Sequence, residues 1–119
     1  MFKNRTFLKN ISNTKIDFDN NLSIKDSITL DHCNNFELII NSKVNKLIFI
    51  KCNNIKLSCI ATISGIDIEK CYNFNLDSKS PHDLKIVSCF KSTINISNYL
   101  ELINKFYIDN EHSEINFQL

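Results

Sequence analysis

Four cysteines, Cys33, Cys52, Cys71 and Cys89, recur at intervals of 19, 19 and 18 residues, and the sequence around them recurs too. Two apolar residues spaced two apart precede each one: Ile28 and Leu30, Leu47 and Phe49, Ile66 and Ile68, Leu84 and Ile86. After the first three come a pair of corner residues (Asn34-Asn35, Asn53-Asn54, Tyr72-Asn73) and two more spaced apolar residues: Phe36 and Leu38, Ile55 and Leu57, Phe74 and Leu76. A fixed period near 19 is the mark of a solenoid. A period of two inside each unit is the mark of strands. The expected fold is therefore all-β, a parallel β-helix with coils of about 18–20 residues. One coil alone orders more backbone than its few apolar side chains can stabilise, so the coils must stack and the ends of the stack must be covered.

The chain then divides within one domain, 1–119. Residues 1–26 form a first coil and cap, with Thr14 one period before Cys33. Residues 27–96 form the regular coils; Ser92 falls where an apolar residue is expected, and Val44, Ile63 and His82 mark a short third face. Residues 97–119 read as a linker and a β-hairpin: Phe106 and Ile108 alternate, a turn-like stretch follows, and Ile115, Phe117 and Leu119 alternate again. A hairpin with one apolar face is not stable alone. It must fold back on its own solenoid or cross onto a second chain, and these five residues are its expected contacts in either case.

Fourteen basic and 13 acidic residues leave a net charge of +1, which gives no electrostatic case for nucleic acid or an anionic membrane as partner. Arg5 is the only arginine. No apolar run reaches the length of a membrane span, and the N-terminus leads into no apolar leader. Five cysteines without an export signal fit reduced thiols and a cytoplasmic location. With Gly65 the sole glycine, asparagine is expected to supply the left-handed backbone positions at the corners.

No reading of the residues yields an enzyme, a cofactor or a metal. Zinc needs four ligands converging on one point, and a column of cysteines stacked one per coil cannot converge. His32 and Cys33 are neighbours on a strand and should point to opposite faces, so they make no nucleophilic pair. The outward carboxylates Asp31, Glu37, Asp67, Glu69 and Asp77 alternate with Lys51, Lys56, Lys70 and Lys85 on neighbouring coils, as cross-strand charge pairs on solvated faces do.

The coil phrases resemble a known family. The runs Ile24–Asn35 and Ser42–Asn53, with Ile66–Cys71, Leu76–Ser80 and Leu84–Ile96, are similar to successive coils of the C-terminal (CARP) domain of cyclase-associated protein, in the wider group that includes tubulin-folding cofactor C. The resemblance covers roughly residues 20–119, with about one coil fewer than the family domain near Asn54. It implies a right-handed helix and a homodimer made by exchange of the C-terminal hairpin. It also implies a module that binds monomeric actin, prefers the ADP form and promotes nucleotide exchange. The arginine finger of the cofactor C branch has no counterpart beyond Arg5. A partner surface is expected on exposed lysines, Lys51, Lys56, Lys70 and Lys85. The alternative is a structural or protein-interaction scaffold of the same fold that has lost actin binding.

Overall fold

The computed structural model describes residues 4–18, 22–80, 83–96, 106–108 and 115–118. Among them are ten strands and no helix: β1 (Asn4–Lys9), β2 (Ser12–Phe18), β3 (Asp26–Asp31), β4 (Asn34–Ile50), β5 (Asn53–Glu69), β6 (Tyr72–Ser80), β7 (Leu84–Val87), β8 (Ser92–Ile96), β9 (Phe106–Ile108) and β10 (Ile115–Gln118). Every pairing between them is parallel. The chain is the expected parallel β-helix.

Two faces build it. Face A stacks β1, β3, the second half of β4, the second half of β5, β7 and β9. Face B stacks β2, the first half of β4, the first half of β5, β6, β8 and β10. The cysteine corner joins A to B within each coil, and a far corner joins B back to A.

Register converts the sequence alternation into columns. On face A, Ile28, Leu47, Ile66 and Leu84 lie in line, as do Leu30, Phe49, Ile68 and Ile86, and all eight are at most 1% exposed. On face B the columns are Phe36, Ile55 and Phe74, then Leu38, Leu57, Leu76 and Ile94, then Ile40, Cys59 and Ser78. The faces meet in the middle, where the Phe49 and Phe74 rings pack edge to face at 4.8 Å and 75°. Ser92 continues the phenylalanine column below Phe74; it is 1% exposed and its hydroxyl has no hydrogen-bond partner among the described residues.

The first coil departs from the sequence expectation. Leu8 is level with Leu30 and Phe18 with Ile40, an offset of 22 rather than 19. Ile11 therefore stands in the cysteine column, not Thr14, which lies above Phe36. The added length falls after Phe18. There the Asp26 carboxylate accepts the Ser23 N–H at 2.6 Å, and the Asp26 N–H donates to the Ser23 carbonyl at 3.0 Å, closing the turn into coil 2. The third face also shifts: Val44 is level with buried Thr62, while Ile63 is 39% exposed, because β4 and β5 slip register twice around the far corner. His82 lies outside the described residues.

The C-terminal strands differ from the expected antiparallel hairpin. β9 pairs in parallel with β7 and β10 in parallel with β8. Stacking leaves one open strand edge on each face, and only a strand per face satisfies both rows of backbone groups. Phe106 and Ile108 fall at the register positions of Leu84 and Ile86, and Ile115 and Phe117 at those of Ser92 and Ile94. Leu119 lies outside the described residues.

Candidate partner-binding surface

The cysteine corner is the most regular part of the molecule. The residue before the cysteine column (Asn10, His32, Lys51, Lys70, Ser88) and the residue two after it (Asn13, Asn35, Asn54, Asn73, Lys91) all have φ between 50° and 57°. Asparagine, the residue expected at left-handed corner positions, dominates only the second. There its side chains form a ladder, with Asn35 donating to Asn13 at 2.7 Å, Asn54 to Asn35 at 3.0 Å and Asn73 to Asn54 at 3.0 Å. At the first position, left-handed histidine and lysine are held by backbone bonds: His32 N–H to the Ile50 carbonyl, Lys51 to Glu69 and Lys70 to Val87, at 2.9–3.0 Å. Asn53, Tyr72 and Phe90 donate in the opposite direction, to the carbonyls of Cys33, Cys52 and Cys71.

Inside the corner the thiols are structural. Each lies 3.3–3.7 Å from two carbonyl oxygens, one two residues back in its own coil and one in the coil before: Leu8, Leu30, Phe49 and Ile68 for Cys33, Cys52, Cys71 and Cys89. None of the five cysteines is in a disulfide, and all are buried. Burial pushes the Cys33 thiol up and the Cys59 thiol up to about 11. Hydrogen bonding with Cys52 and Cys89, then burial, raises Cys71. Among the described residues no group of three or more His, Cys, Asp or Glu is placed to hold a metal ion.

Outside the corner, the four lysines named from sequence separate. Lys51 and Lys70 stand on adjacent coils of the corner itself. Lys56 projects from face B, level with Glu37 and Asn75, and Lys85 projects from face A, level with Asp67. Other pairs neutralise the faces: Lys46 reaches Asp67 at 3.1 Å and Lys15 reaches Glu37 at 3.7 Å. The structure thus brings together two of the four.

It also adds residues that the sequence reading passed over. The column immediately after the cysteines runs Asn34, Asn53, Tyr72, Phe90. Tyr72 and Phe90 are each 44% exposed, and the Lys91 ammonium sits 5.5 Å from the Tyr72 ring centroid. The signal was present as a departure from the repeat, since coils 2 and 3 carry asparagine where coils 4 and 5 carry an aromatic. Separately, a groove of ≈ 440 Å³ on face A is lined by Arg5, Phe7, Ser27, Thr29, Lys46 and Ile48, among others.

The family described as adenylate cyclase associated (CAP) C terminal matches residues 3–83. This chain belongs to that family. The CAP C-terminal match runs from the first coil to the far corner of the fourth, so it contains Lys51, Lys70 and Tyr72 but not Phe90 or Lys91. The crystal structure of cyclase-associated protein from Cryptosporidium parvum superposes with a TM-score of 0.79 over 98% of this chain and 71% of that one, at 19% identity. At that identity the likeness carries the CAP C-terminal fold. No match is found among curated proteins. No helix among the described residues is long and apolar enough to cross a membrane.

Proposed function

We propose that this chain is a non-enzymatic module that binds monomeric actin, favours its ADP form and promotes nucleotide exchange. Membership of the CAP C-terminal family is the observation that carries the reading. The architecture is compatible with it. Backbone ladders hold the outward residues of the stacked levels in register, and a surface preorganised in that way supports the reading of a protein partner. The test is release of a fluorescent nucleotide from ADP-actin monomers. Acceleration at micromolar protein is expected; an unchanged rate together with no co-migration on a sizing column sinks the reading.

The same proposal includes a homodimer in which β9 and β10 exchange between chains. The pairings with β7 and β8 would be kept, but formed in trans. Light scattering at increasing concentration checks this, and a monomer mass throughout rules it out.

One observation favours the scaffold reading instead. Lysine and carboxylate neighbours on both faces, Lys46 with Asp67 and Lys15 with Glu37, leave little unpaired charge there for a partner. Binding with no effect on nucleotide release would support that alternative.

A further inference from the structure

We infer that the cysteine corner of the third to fifth coils is a docking ridge for an acidic segment of a protein partner, which lays an apolar side chain against Tyr72 and Phe90. The inference rests on the reading that this chain binds a protein, and adds where it does so and what chemistry it reads.

Charge makes the first argument. The corner residues 51–54, 70–73 and 88–91 contain three lysines, Lys51, Lys70 and Lys91, and no carboxylate. Elsewhere the surface alternates in sign along the coils, with Glu37 level with Lys56 and Asp67 level with Lys85. The nearest acid in the chain is exposed Glu69, which ends β5 on the face A side of Lys70. The second corner works differently: there Asp31 lies against His32, so the basic character begins only at Lys51.

Aromatic placement makes the second. A corner position filled by Asn34 and Asn53 folds without an aromatic ring, yet the next two coils hold Tyr72 and Phe90, joined by a backbone bridge and both 44% exposed. Burying such rings at an interface contributes strongly to binding, and a lysine over the ring face adds to it. Lys91 already occupies that place over Tyr72.

Rigidity makes the third. Lys51, Lys70 and Lys91 sit on left-handed backbone, and Lys51 and Lys70 donate their N–H groups at 2.9 Å to the next coil, so their Cα–Cβ vectors are fixed. The ridge spans three levels, about 10 Å. A stable interface needs a patch of ~800 Å², roughly 30 Å across, so the ridge is the energetic centre of a larger contact. These lysines act as point charges on an anionic segment, and the exposed rings beside them take an apolar side chain of the same protein segment.

The experiment uses the 119-residue chain in four forms: native, Tyr72→Asn/Phe90→Asn, Lys70→Glu/Lys91→Glu, and Lys56→Glu on face B as control. Affinity for labelled ADP-actin monomers is measured by anisotropy. In parallel, amide chemical shifts are followed on adding a synthetic peptide of aspartates and glutamates around one leucine and one phenylalanine. Both ridge variants should lose about tenfold or more in affinity, and the control less than about twofold. Unchanged melting temperatures exclude misfolding as the cause, since asparagine is native to that column. The peptide should shift the amides of Lys51, Lys70, Tyr72 and Phe90, and the shifts should vanish in roughly 0.5 M NaCl. Native chain that binds actin with ridge variants indistinguishable from it overturns the ridge and leaves the function. Native chain that fails on actin but shows ridge shifts with the peptide overturns the function and leaves the ridge. Shifts produced by a single-stranded oligonucleotide and not by the acidic peptide overturn the ridge assignment.

Discussion

The two corners of each coil solve the same problem by different means. At the cysteine corner, coils 1 to 5 reverse direction in the same four-residue step, with two left-handed residues, a rung of backbone bonds on either side and, in coils 2 to 5, a buried cysteine. At the far corner β4 and β5 run continuously from face B to face A, bending through register slips between Ile40 and Lys43 and between Val44 and Lys46. Coil length is conserved at the first corner and absorbed at the second: the offset is 22 from coil 1 to coil 2, then 19, then 18 between Ile66 and Leu84. A corner that needs a particular backbone conformation tolerates no change of length. A corner made by bending a strand does.

The largest effect should come from breaking the strict corner. Inserting one residue between Cys52 and Asn53 moves Ile55, Leu57 and Cys59 to the solvent side, because strand side chains alternate. No cooperative thermal or urea transition is expected. A transition with the native slope would show that the corner is as accommodating as the far one.

Next in size is Gly65, where the far corner of one coil meets the next. Its φ is +105°, and a Cβ there would lie 2.6 Å from the Asp83 carbonyl oxygen, which also accepts the Ile66 N–H at 2.7 Å. That oxygen can retreat only by stretching the bond. Gly65→Ala should cost about 3 kcal/mol or more, combining backbone strain with the clash. Urea denaturation measures it, and a loss below about 1 kcal/mol would mean that the far corner gives way even here.

These differences decide what could be read from sequence. The four cysteines and their flanking pairs gave the columns of coils 2 to 5 correctly, since a rigid corner imposes one residue type at one spacing. Nineteen residues before Cys33 stands Thr14, but the extra turn closed by Asp26 lengthens the first coil and puts Ile11 in that column. Ile63 is apolar and marks the third face by that alone, yet Thr62 is the buried residue, because a bulge changes the facing. The C-terminal strands were legible as strands but not as parallel ones, because alternation carries no direction. On the candidate surface, Lys51 and Lys70 were legible as exposed. Their closeness to Tyr72, Phe90 and Lys91 was hidden, since it exists only across coils.

A milder test of the strict corner is Asn54→Ala. Asn54 has φ 57°, donates its amide to Asn35 at 3.0 Å and accepts from Asn73 at 3.0 Å. Alanine loses both exposed bonds and is less at ease in the left-handed region, about 1–2 kcal/mol together. Asn54→Gly restores the backbone freedom and should recover about half. Equal losses for the two would assign the cost to the side-chain ladder alone.

The smallest effect is expected from lengthening the far corner where it is shortest. Ala61 is level with Ser80 and Ile66 with Leu84, so four steps in coil 4 cover what five cover in coil 3. Pro81 lies in that shortened stretch, and Asp83 at its end is the residue pressed against Gly65. Adding one residue between Ser80 and Asp83 equalises the two coils and should change stability by no more than about 0.5 kcal/mol, as surface loop changes generally do. It should also couple to Gly65. With the Asp83 carbonyl free to move outward, the clash part of the Gly65→Ala penalty falls while the strain of φ +105° remains. The double variant is therefore expected to be more stable than the sum of its parts by about 1 kcal/mol. Strict additivity would show that the close approach of Asp83 is set by the Ile66 hydrogen bond rather than by the short corner.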